Sequence, residues 1–342
     1  MKKKFSAALI LISCGFLSLA MREPEKFSRQ GFSMDTLINM TVYGDNQAVK
    51  ILDDAYGLLD RLDKELSMYD QSSDISKINL NAGIKSVKVP DEAIEAVENS
   101  LRLYELTGGV FNPLIGAVTK LWKINKADGR IPSRSELDEA VKLADIKNLE
   151  IKSGEIFLKS KGCVLDLGGI AKGYASGKII SLLKNSGIKS ALADLGGNVY
   201  VLGKKTDGSD WRIGVRDPSD VRGAPALVLE VHDTAVITSG GYERFKTADG
   251  EKYGHFFDAS GNSARNDLLS ATVVTPDGSL GDGLATAFMV SGYEKSLEIL
   301  KNVPADTGVI FIRYIDNAAE IFATGNLRGI VSHGRYRINF ID

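Results

Sequence analysis

Apolar positions recur at intervals of three and four residues in several separate parts of the chain. The first such stretch covers 48–66, with apolar residues at Val49, Leu52, Tyr56, Leu59, Leu62 and Leu66. This spacing is typical of an amphipathic helix. A second helix is predicted to start at Pro90 and to stop at Gly108-Gly109, because proline suits a first turn and glycine ends helices.

Ser133 and Glu136 form a capping-box pattern, which predicts a third helix ending near Ala144. Shorter helical patterns follow at 170–183, 284–290 and 293–300. The remaining apolar runs are short and rich in β-branched residues, as strands are. They cover 156–158, 164–165, 199–201, 226–231, 236–237, 272–274 and 309–312.

The order of these elements favours an α+β fold with mixed, largely antiparallel sheets packed with helices, rather than a regular βαβ alternation. No change of composition marks a domain boundary. Residues 31–342 are therefore predicted to form a single catalytic unit, of one or two lobes.

The first 20 residues are typical of an export signal. Three lysines follow Met1, and an apolar stretch without acidic residues then runs over 5–20. The segment Leu11-Ile12-Ser13-Cys14 has the form of a lipobox, which predicts diacylation of Cys14 and stable membrane anchoring by two chains. Cleavage after Ala20 is the alternative. The polar residues 21–30 are predicted to be a tether.

The composition limits which partners and which chemistry are expected. A hydrophobic fraction of 44% is typical of a globular chain. The pI is near 6.0, so the chain lacks the excess of basic residues that nucleic-acid binders have, and nucleic acid is not expected as a partner. Besides Cys14 there is only Cys163, which excludes an intramolecular disulfide once Cys14 is acylated. Cys163 is predicted to be a buried apolar residue and not a nucleophile.

Two glycine turns stand out. The run 165–175 places Gly168-Gly169 before a helix, where backbone N–H groups favour an anion such as a pyrophosphate. It matches neither the Walker A nor the Rossmann pattern, and a purely structural strand-to-helix turn is the alternative. In the second run, 194–198, a tight turn between two strands is a sufficient explanation.

Two further groups could carry chemistry. Asp282 and Thr286 are four residues apart, so they share one helical face, and their oxygens suit Mg²⁺ better than zinc. The alternative is structural: Asp282 would be a helix N-cap, and the Thr286 hydroxyl would bond to the backbone of its own helix. His255 could act as a general base near neutral pH, although a lone histidine is more often structural.

Together these segments resemble the ApbE family of FAD:protein FMN transferases, in order and over nearly the whole exported part. The matching segments are 32–36, 66–69, 75–79, 109–113, 166–175, 194–198, 238–244, His255 and 282–286. The resemblance implies an ApbE-like, T-fold-like architecture. One departure is the run after His255, where Ala259-Ser260 replaces a turn that contains proline in many members.

The resemblance also implies roles for individual residues. The residues implied to hold FAD are Met34, Tyr69, Val110, Phe111, Asn112, Asp166, Lys172 and His255, and His255 is also the catalytic base. Mg²⁺ would be bound by the side chains of Asp282 and Thr286, by the Gly169 carbonyl, and through a further backbone contact at Ser279.

The activity implied is cleavage of the FAD pyrophosphate, release of AMP, and attachment of FMN to a threonine or serine of an acceptor flavoprotein, such as a subunit of a redox-driven ion pump. Hydrolysis of FAD to FMN and AMP is implied as a variant. The enzyme would be anchored by its lipid on the periplasmic side of a bacterial membrane. A non-catalytic lipoprotein that stores or delivers FAD is the alternative.

Overall fold

A long, largely antiparallel sheet organises the chain. The structure is a computed structural model that describes residues 23–124, 129–220, 223–242, 244–248, 250–264, 267–315 and 318–342. Its helices are α1 (Ala48–Leu66), α2 (Asp74–Leu80), α3 (Asp91–Leu106), α4 (Gly116–Trp122), α5 (Arg134–Leu143), α6 (Ala171–Asn185), α7 (Gly278–Ser291) and α8 (Tyr293–Leu300). The predicted export signal lies outside the described residues.

The strands fall into four sheets. The first eight are β1 (Glu25–Ser33), β2 (Thr36–Gly44), β3 (Val87–Lys88), β4 (Leu149–Lys152), β5 (Glu155–Leu158), β6 (Ser190–Leu195), β7 (Asn198–Leu202) and β8 (Trp211–Val215). The others are β9 (Leu227–Val231), β10 (Thr234–Gly240), β11 (Phe245–Ala248), β12 (Glu251–Gly254), β13 (Leu268–Thr275), β14 (Gly308–Ile315), β15 (Ala318–Thr324), β16 (Val331–Gly334) and β17 (Ile338–Ile341).

The main sheet has nine strands in the order β1-β2-β6-β7-β10-β13-β14-β15-β17. All neighbours in it are antiparallel except β15 and β17, which are parallel. The small sheets are β16-β9-β8, β3-β5-β4 and the hairpin β11-β12. This arrangement confirms the predicted α+β class.

Both faces of the main sheet are covered. On one face, α1, α6 and α7 pack against the strands and form the larger hydrophobic core. On the other face, β8, β9 and β16 enclose a second core. Strand β14 contributes Val309 and Phe311 to the first core, and Ile310 and Ile312 to the second. Because successive side chains point to opposite faces, such a strand reads as an unbroken apolar run.

Several predicted elements are confirmed. Helix α1 has the predicted bounds and buries its apolar face. Helix α5 begins with the predicted capping box, in which the Ser133 and Glu136 side chains each accept from the other residue's backbone N–H. Cys163 is fully buried, its Sγ lies 3.2 Å from the Leu143 carbonyl oxygen, and burial raises the pKa of its thiol. A structural role for Cys163 follows.

Three predictions about elements were wrong. The predicted tether overlaps β1, which starts at Glu25 and pairs along its whole length with β2. Residues 164–165 are not a strand, because the backbone N–H and C=O of Leu165 bond to the Asn79 side chain instead. Helix α7 begins at Gly278, well before the predicted start at 284. The prediction missed its first half because the glycines there weaken the local helical pattern.

The glycines of α6 and α7 let the two helix backbones touch. A Cβ on Gly173 would lie 2.0 Å from the Gly278 carbonyl oxygen and 2.6 Å from the Asp282 Cβ. No side chain fits at that distance, so glycine is required at this crossing. Among the helices of the part described here, none has the length and hydropathy to cross a membrane.

Gly173→Ala is expected to destabilise the protein by about 1–3 kcal/mol, because the helices must separate to admit the methyl group. Thermal unfolding followed by circular dichroism measures the change. Gly177→Ala is the matched control in the same helix, since a Cβ there meets nothing within 4 Å. That variant should gain up to about 1 kcal/mol from helix propensity. Equal melting temperatures for the two variants would contradict the close crossing.

Candidate active site

A cleft of about 1650 Å³ lies at one end of the main sheet. This volume exceeds the roughly 300–1,000 Å³ of most small-molecule sites, so the cleft can hold a large ligand or two substrates together. The sequence-predicted site residues that line it are Tyr69, Val110, Phe111, Asn112, Asp166, Gly169, Lys172, His255, Asp282 and Thr286. The fold therefore brings together residues from five separate segments of the chain.

The first glycine turn is held by Asp166. Its carboxylate accepts from the Gly168 N–H at 2.9 Å and from the Thr119 hydroxyl at 3.0 Å. Burial in the cleft raises the pKa of this carboxyl, although the two hydrogen bonds act in the opposite direction. The turn thus presents a desolvated carboxyl beside exposed glycine backbone.

Helix α6 starts directly after this turn and carries Lys172 in its first turn. The N–H of Gly173 donates to Asp282 at 2.8 Å, and the N–H of Ala171 donates to Leu167. Two of the first-turn donors are therefore already used inside the protein. An anion at this helix end would depend mainly on the Lys172 ammonium group, which lines the cleft.

Three oxygen-bearing residues meet between α6 and α7. The Thr286 hydroxyl lies 3.4 Å from the Gly169 carbonyl oxygen, and Asp282 is one turn away on α7 with 3% of its surface exposed. A carboxylate, a hydroxyl and a carbonyl are hard donors that fit Mg²⁺, which commonly takes one or two protein carboxylates and completes its shell with phosphate and water. No group of three or more His, Cys, Asp or Glu side chains forms a metal cluster in the described ranges.

Two predicted site residues do not line the cleft. Met34 is at the tip of the β1–β2 hairpin with a φ of 51°, and its N–H donates to Asp63 at 2.9 Å. Ser279 is buried in the first turn of α7, and its hydroxyl accepts from the Asn99 amide at 3.3 Å. Their predicted contacts with FAD and metal stay predictions.

The segment after α3 supplies an apolar wall. Phe111 is buried, and its ring lies against the backbone of Gly169. The side-chain amide of Asn112 is occupied at both ends, since it donates to the Ala144 carbonyl and accepts from the Leu114 N–H. Any ligand contact of Asn112 must therefore come mainly from its backbone. Tyr69 is 58% exposed at the cleft and can cover a planar ring.

His255 follows β12 and packs against Phe256, with ring centroids 4.1 Å apart and ring planes tilted by 36°. Its Nδ1 lies 3.0 Å from the Arg244 carbonyl oxygen, which can only accept, so Nδ1 carries the proton and Nε2 is left as an acceptor. Burial is the main cause that lowers the pKa of His255 to about 4; the nearby charges of Arg244 and Lys172 act in the same direction, and the hydrogen bond to the Arg244 carbonyl opposes them. The neutral ring required of a general base is thus the form present at neutral pH.

This low pKa has a consequence for the pH dependence. We expect kcat/KM to fall only as the pH approaches about 4, instead of near the ordinary value of 6.5, because only the neutral imidazole accepts a proton. Between pH 6.5 and about 4, His255 binds a proton in the unfolded chain but not in the folded protein. The contribution of His255 to the free energy of unfolding therefore decreases as the pH falls through this range. A pH–rate profile with parallel melting curves tests this. A midpoint near 6.5 in a fully folded protein would contradict it.

Sequence reasoning missed much of the polar lining. The cleft also contains Asp35, Asn39, Asp194, Asn198, Arg216, Thr238, Ser239 and Arg244. The second glycine turn is a hairpin between β6 and β7, as its structural explanation required, yet it also lines the cleft. Only its co-linear match to the family segments distinguished it from an ordinary turn.

Taken together, the fold and the cleft define an α+β enzyme whose cleft is lined by a glycine turn, a lysine, a set of hard oxygen donors and a neutral histidine. Comparison with known proteins identifies the family. The model of the ApbE family matches residues 34–311. The chain belongs to the ApbE family.

Individual relatives agree with this assignment. The FAD:protein FMN transferase of Treponema pallidum (strain Nichols) is 35% identical over 316 residues, covering 86% of this chain and 87% of the relative. The structure of Pseudomonas stutzeri flavinyl transferase ApbE in its apo form superposes with a TM-score of 0.82 at 26% identity, covering 92% and 99%. The ApbE protein of Thermotoga maritima gives 0.82 at 27% identity, covering 90% and 100%.

Proposed function

We propose that this chain is an FAD:protein FMN transferase that depends on Mg²⁺. The observation that carries the proposal is the meeting of Gly169, Asp282 and Thr286 in the same cleft as Lys172 and His255. These groups are what transfer of FMN from a pyrophosphate needs: a place for a metal, a cation for phosphate, and a base. The names of the relatives supply the substrate, FAD, and the kind of acceptor, a protein.

In the proposed reaction, the FAD pyrophosphate lies along the first glycine turn beside Lys172, whose charge offsets that of the phosphates. Tyr69 and Phe111 offer flat apolar surfaces to the rings of FAD. Mg²⁺, when held by Asp282, Thr286 and the Gly169 carbonyl, would neutralise charge that develops on the phosphate oxygens.

His255 is the proposed general base. Its Nε2 takes the proton from a threonine or serine hydroxyl of the acceptor, whose oxygen forms a bond to the phosphorus of the FMN half. The bond from that phosphorus to the bridging oxygen breaks, and AMP leaves with the bridging oxygen. Water in the place of the acceptor hydroxyl would give FMN and AMP, which makes FAD hydrolysis the side reaction of the same residues.

The test is to incubate the purified protein with FAD, Mg²⁺ and an acceptor protein, and to measure AMP together with the mass of the acceptor. Release of AMP with a mass gain equal to an FMN phosphoester is the expected result. AMP without that gain means hydrolysis. If the protein binds FAD but forms neither AMP nor a labelled acceptor, it is a non-catalytic FAD carrier.

We also propose that the chain is exported and anchored to a bacterial membrane through Cys14. The lysine-rich start, the apolar stretch and the lipobox of the sequence support this proposal. Mass spectrometry of the mature N-terminus tests it, with Cys14→Ala as the comparison. A diacylated Cys14 in a membrane fraction is expected, and a soluble protein that starts after Ala20 would contradict it.

A further inference from the structure

The β1–β2 hairpin has one face against helix α1 and one face turned away from it. Successive side chains of a strand point to opposite faces. Arg29 lies over the ring of Tyr56 on α1, 4.4 Å from the ring centroid, and a Cβ on Gly31 would lie 2.6 Å from the same ring. The odd-numbered positions of β1 therefore face the helix. The side chains at positions 28, 30 and 32 point away from it.

Six side chains share the face that is turned away, and we name it the open hairpin face. They form the cross-strand pairs Ser28–Thr41, Gln30–Asn39 and Phe32–Leu37. The hydroxyl oxygens of Ser28 and Thr41 are 2.9 Å apart, which confirms that the partners lie on the same side of the sheet. The two strands pair without a bulge, so the other two pairs share that side as well.

The second layer of the fold covers this side of the hairpin only at one end. Near the end of β2, Tyr43 packs against Trp211 of β8, with ring centroids 6.2 Å apart. At the other end, Phe32 is 73% exposed and its partner Leu37 is 54% exposed. Single exposed apolar residues are common, whereas contiguous ones mark interaction sites. The Phe32–Leu37 pair therefore points to a binding partner.

The exposed pair lies at the mouth of the cleft. Leu37 and Asn39 line the cleft, and Phe32 is directly across the strands from Leu37. His255 lines the same cleft. In the proposed reaction, a hydroxyl of the acceptor protein must reach Nε2 of His255, so the acceptor chain must pass over the cleft mouth. The open hairpin face is thus continuous with the place where a protein substrate has to lie.

The charge and position of this face distinguish among occupants. None of its six side chains is charged, so it offers no cation to the phosphates of FAD or to the anionic lipids that basic surfaces bind. The chain also leaves β1 toward Cys14 at Glu25, which is seven residues, or roughly 24 Å of strand, from Phe32. A lipid anchor on Cys14 would therefore join the opposite end of the strand. The neutral apolar pair fits an apolar side chain of a polypeptide.

We infer that the open hairpin face docks the acceptor protein, and that Phe32 and Leu37 hold an apolar side chain next to the hydroxyl that receives FMN. This inference rests on the proposed function, since it assigns the surface that binds the second substrate. The role is one of binding, and neither residue takes part in the chemistry.

The test uses the full-length protein, FAD, Mg²⁺ and two sets of synthetic peptides, each peptide with one central threonine. Leucine flanks the threonine in one set, and glutamine flanks it in the other. Transfer is measured by peptide mass, and FAD affinity by quenching of flavin fluorescence. The wild-type protein should have a KM about 5–30-fold lower for the leucine set, the range for apolar anchors of an interface.

The variant that tests the surface combines Phe32→Thr with Leu37→Thr. Threonine suits a strand and removes the apolar contact. The KM for the leucine set should rise to that of the glutamine set, so that the preference disappears. The Kd for FAD and the rate of AMP release without peptide should be unchanged. Loss of the cross-strand pair should lower the melting temperature by at most about 2–4 °C.

Tyr314→Thr is the matched control. Tyr314 is an aromatic residue on β14 of the same sheet, is 49% exposed, and does not line the cleft. This variant should retain the wild-type preference for the leucine set. If the double variant does not fold, Phe32→Thr alone measures the same contact, because most of the Phe32 side chain is already in solvent.

The other outcomes overturn the inference in distinct ways. Equal KM values of the wild type and the double variant for the leucine set would exclude docking on this face. A weaker Kd for FAD in the double variant would mean that FAD occupies it. Binding of the Cys14→Ala protein to phosphatidylcholine vesicles that the two threonines abolish, with unchanged peptide kinetics, would make the face a membrane contact.

Failure of the inference and failure of the proposed function give different results. If the wild-type protein releases AMP but labels neither peptide set, the docking inference is wrong and FAD cleavage stands. If it neither labels peptide nor releases AMP, the proposed function fails as well.

Discussion

Asp282→Asn is expected to lower the rate of FMN transfer at saturating FAD by about 10²–10³-fold, the scale on which removal of one preorganised charge-stabilising group acts. Asparagine retains an oxygen that can accept from the Gly173 N–H, so the contact between α6 and α7 is kept. The negative charge and the second carboxylate oxygen are lost, because an NH2 group takes that oxygen's place. Without them, the hydroxyl of Thr286 and the carbonyl of Gly169 are too weak a donor set to hold Mg²⁺.

Steady-state kinetics over a range of Mg²⁺ concentrations, together with melting curves, measure this effect. Added Mg²⁺ should restore little activity. Asp277→Asn is the control, because Asp277 caps the start of the same helix and lies outside the cleft. Asparagine is an equally good N-cap, so this variant should retain activity and stability. Near-normal transfer by Asp282→Asn would refute the metal assignment.

His255→Ala is expected to lower kcat for transfer by about 10²–10⁴-fold, the range for loss of a positioned general base. The structural basis is the fixed tautomer: Nδ1 donates to the Arg244 carbonyl, and Nε2 is free to accept a proton. FAD affinity should change little, because the proposed function assigns the phosphate contact to Lys172 and the ring contacts to Tyr69 and Phe111. The loss should therefore appear in kcat and not in the Kd for FAD.

Stopped-flow transfer assays and fluorescence titration with FAD separate the two quantities. His232→Ala is a suitable control, since His232 pairs with Asp210 at the surface and does not line the cleft. It should behave like the wild-type protein. A His255→Ala variant that binds FAD much more weakly yet turns over normally would show that the ring holds substrate and does not take the proton.

Elements specified by short-range interactions were predictable. Helix α1 follows from the spacing of its apolar residues, and α5 follows from the bonds between Ser133 and Glu136. Helix α7 shows the limit of this reasoning. Its first half is rich in glycine, which disfavours a helix locally, and it forms because glycine permits close contact with α6. Likewise, residues 164–165 look like a strand but find their hydrogen bonds on Asn79.

The functional site also has properties that the sequence alone determined and others that only the tertiary structure determined. The sequence alone determined the types of residue available for chemistry, and the order of its segments was sufficient to indicate the family. It did not determine which residues meet. Gly169 and Thr286 are 117 positions apart, and their contact exists because α6 and α7 cross at Gly173 and Gly278. The tertiary structure also left Met34 and Ser279 outside the cleft lining and gave the second glycine turn a place in it. The physical reason is that local sequence sets backbone preference and side-chain chemistry, whereas convergence depends on the packing of distant segments across both faces of the sheet.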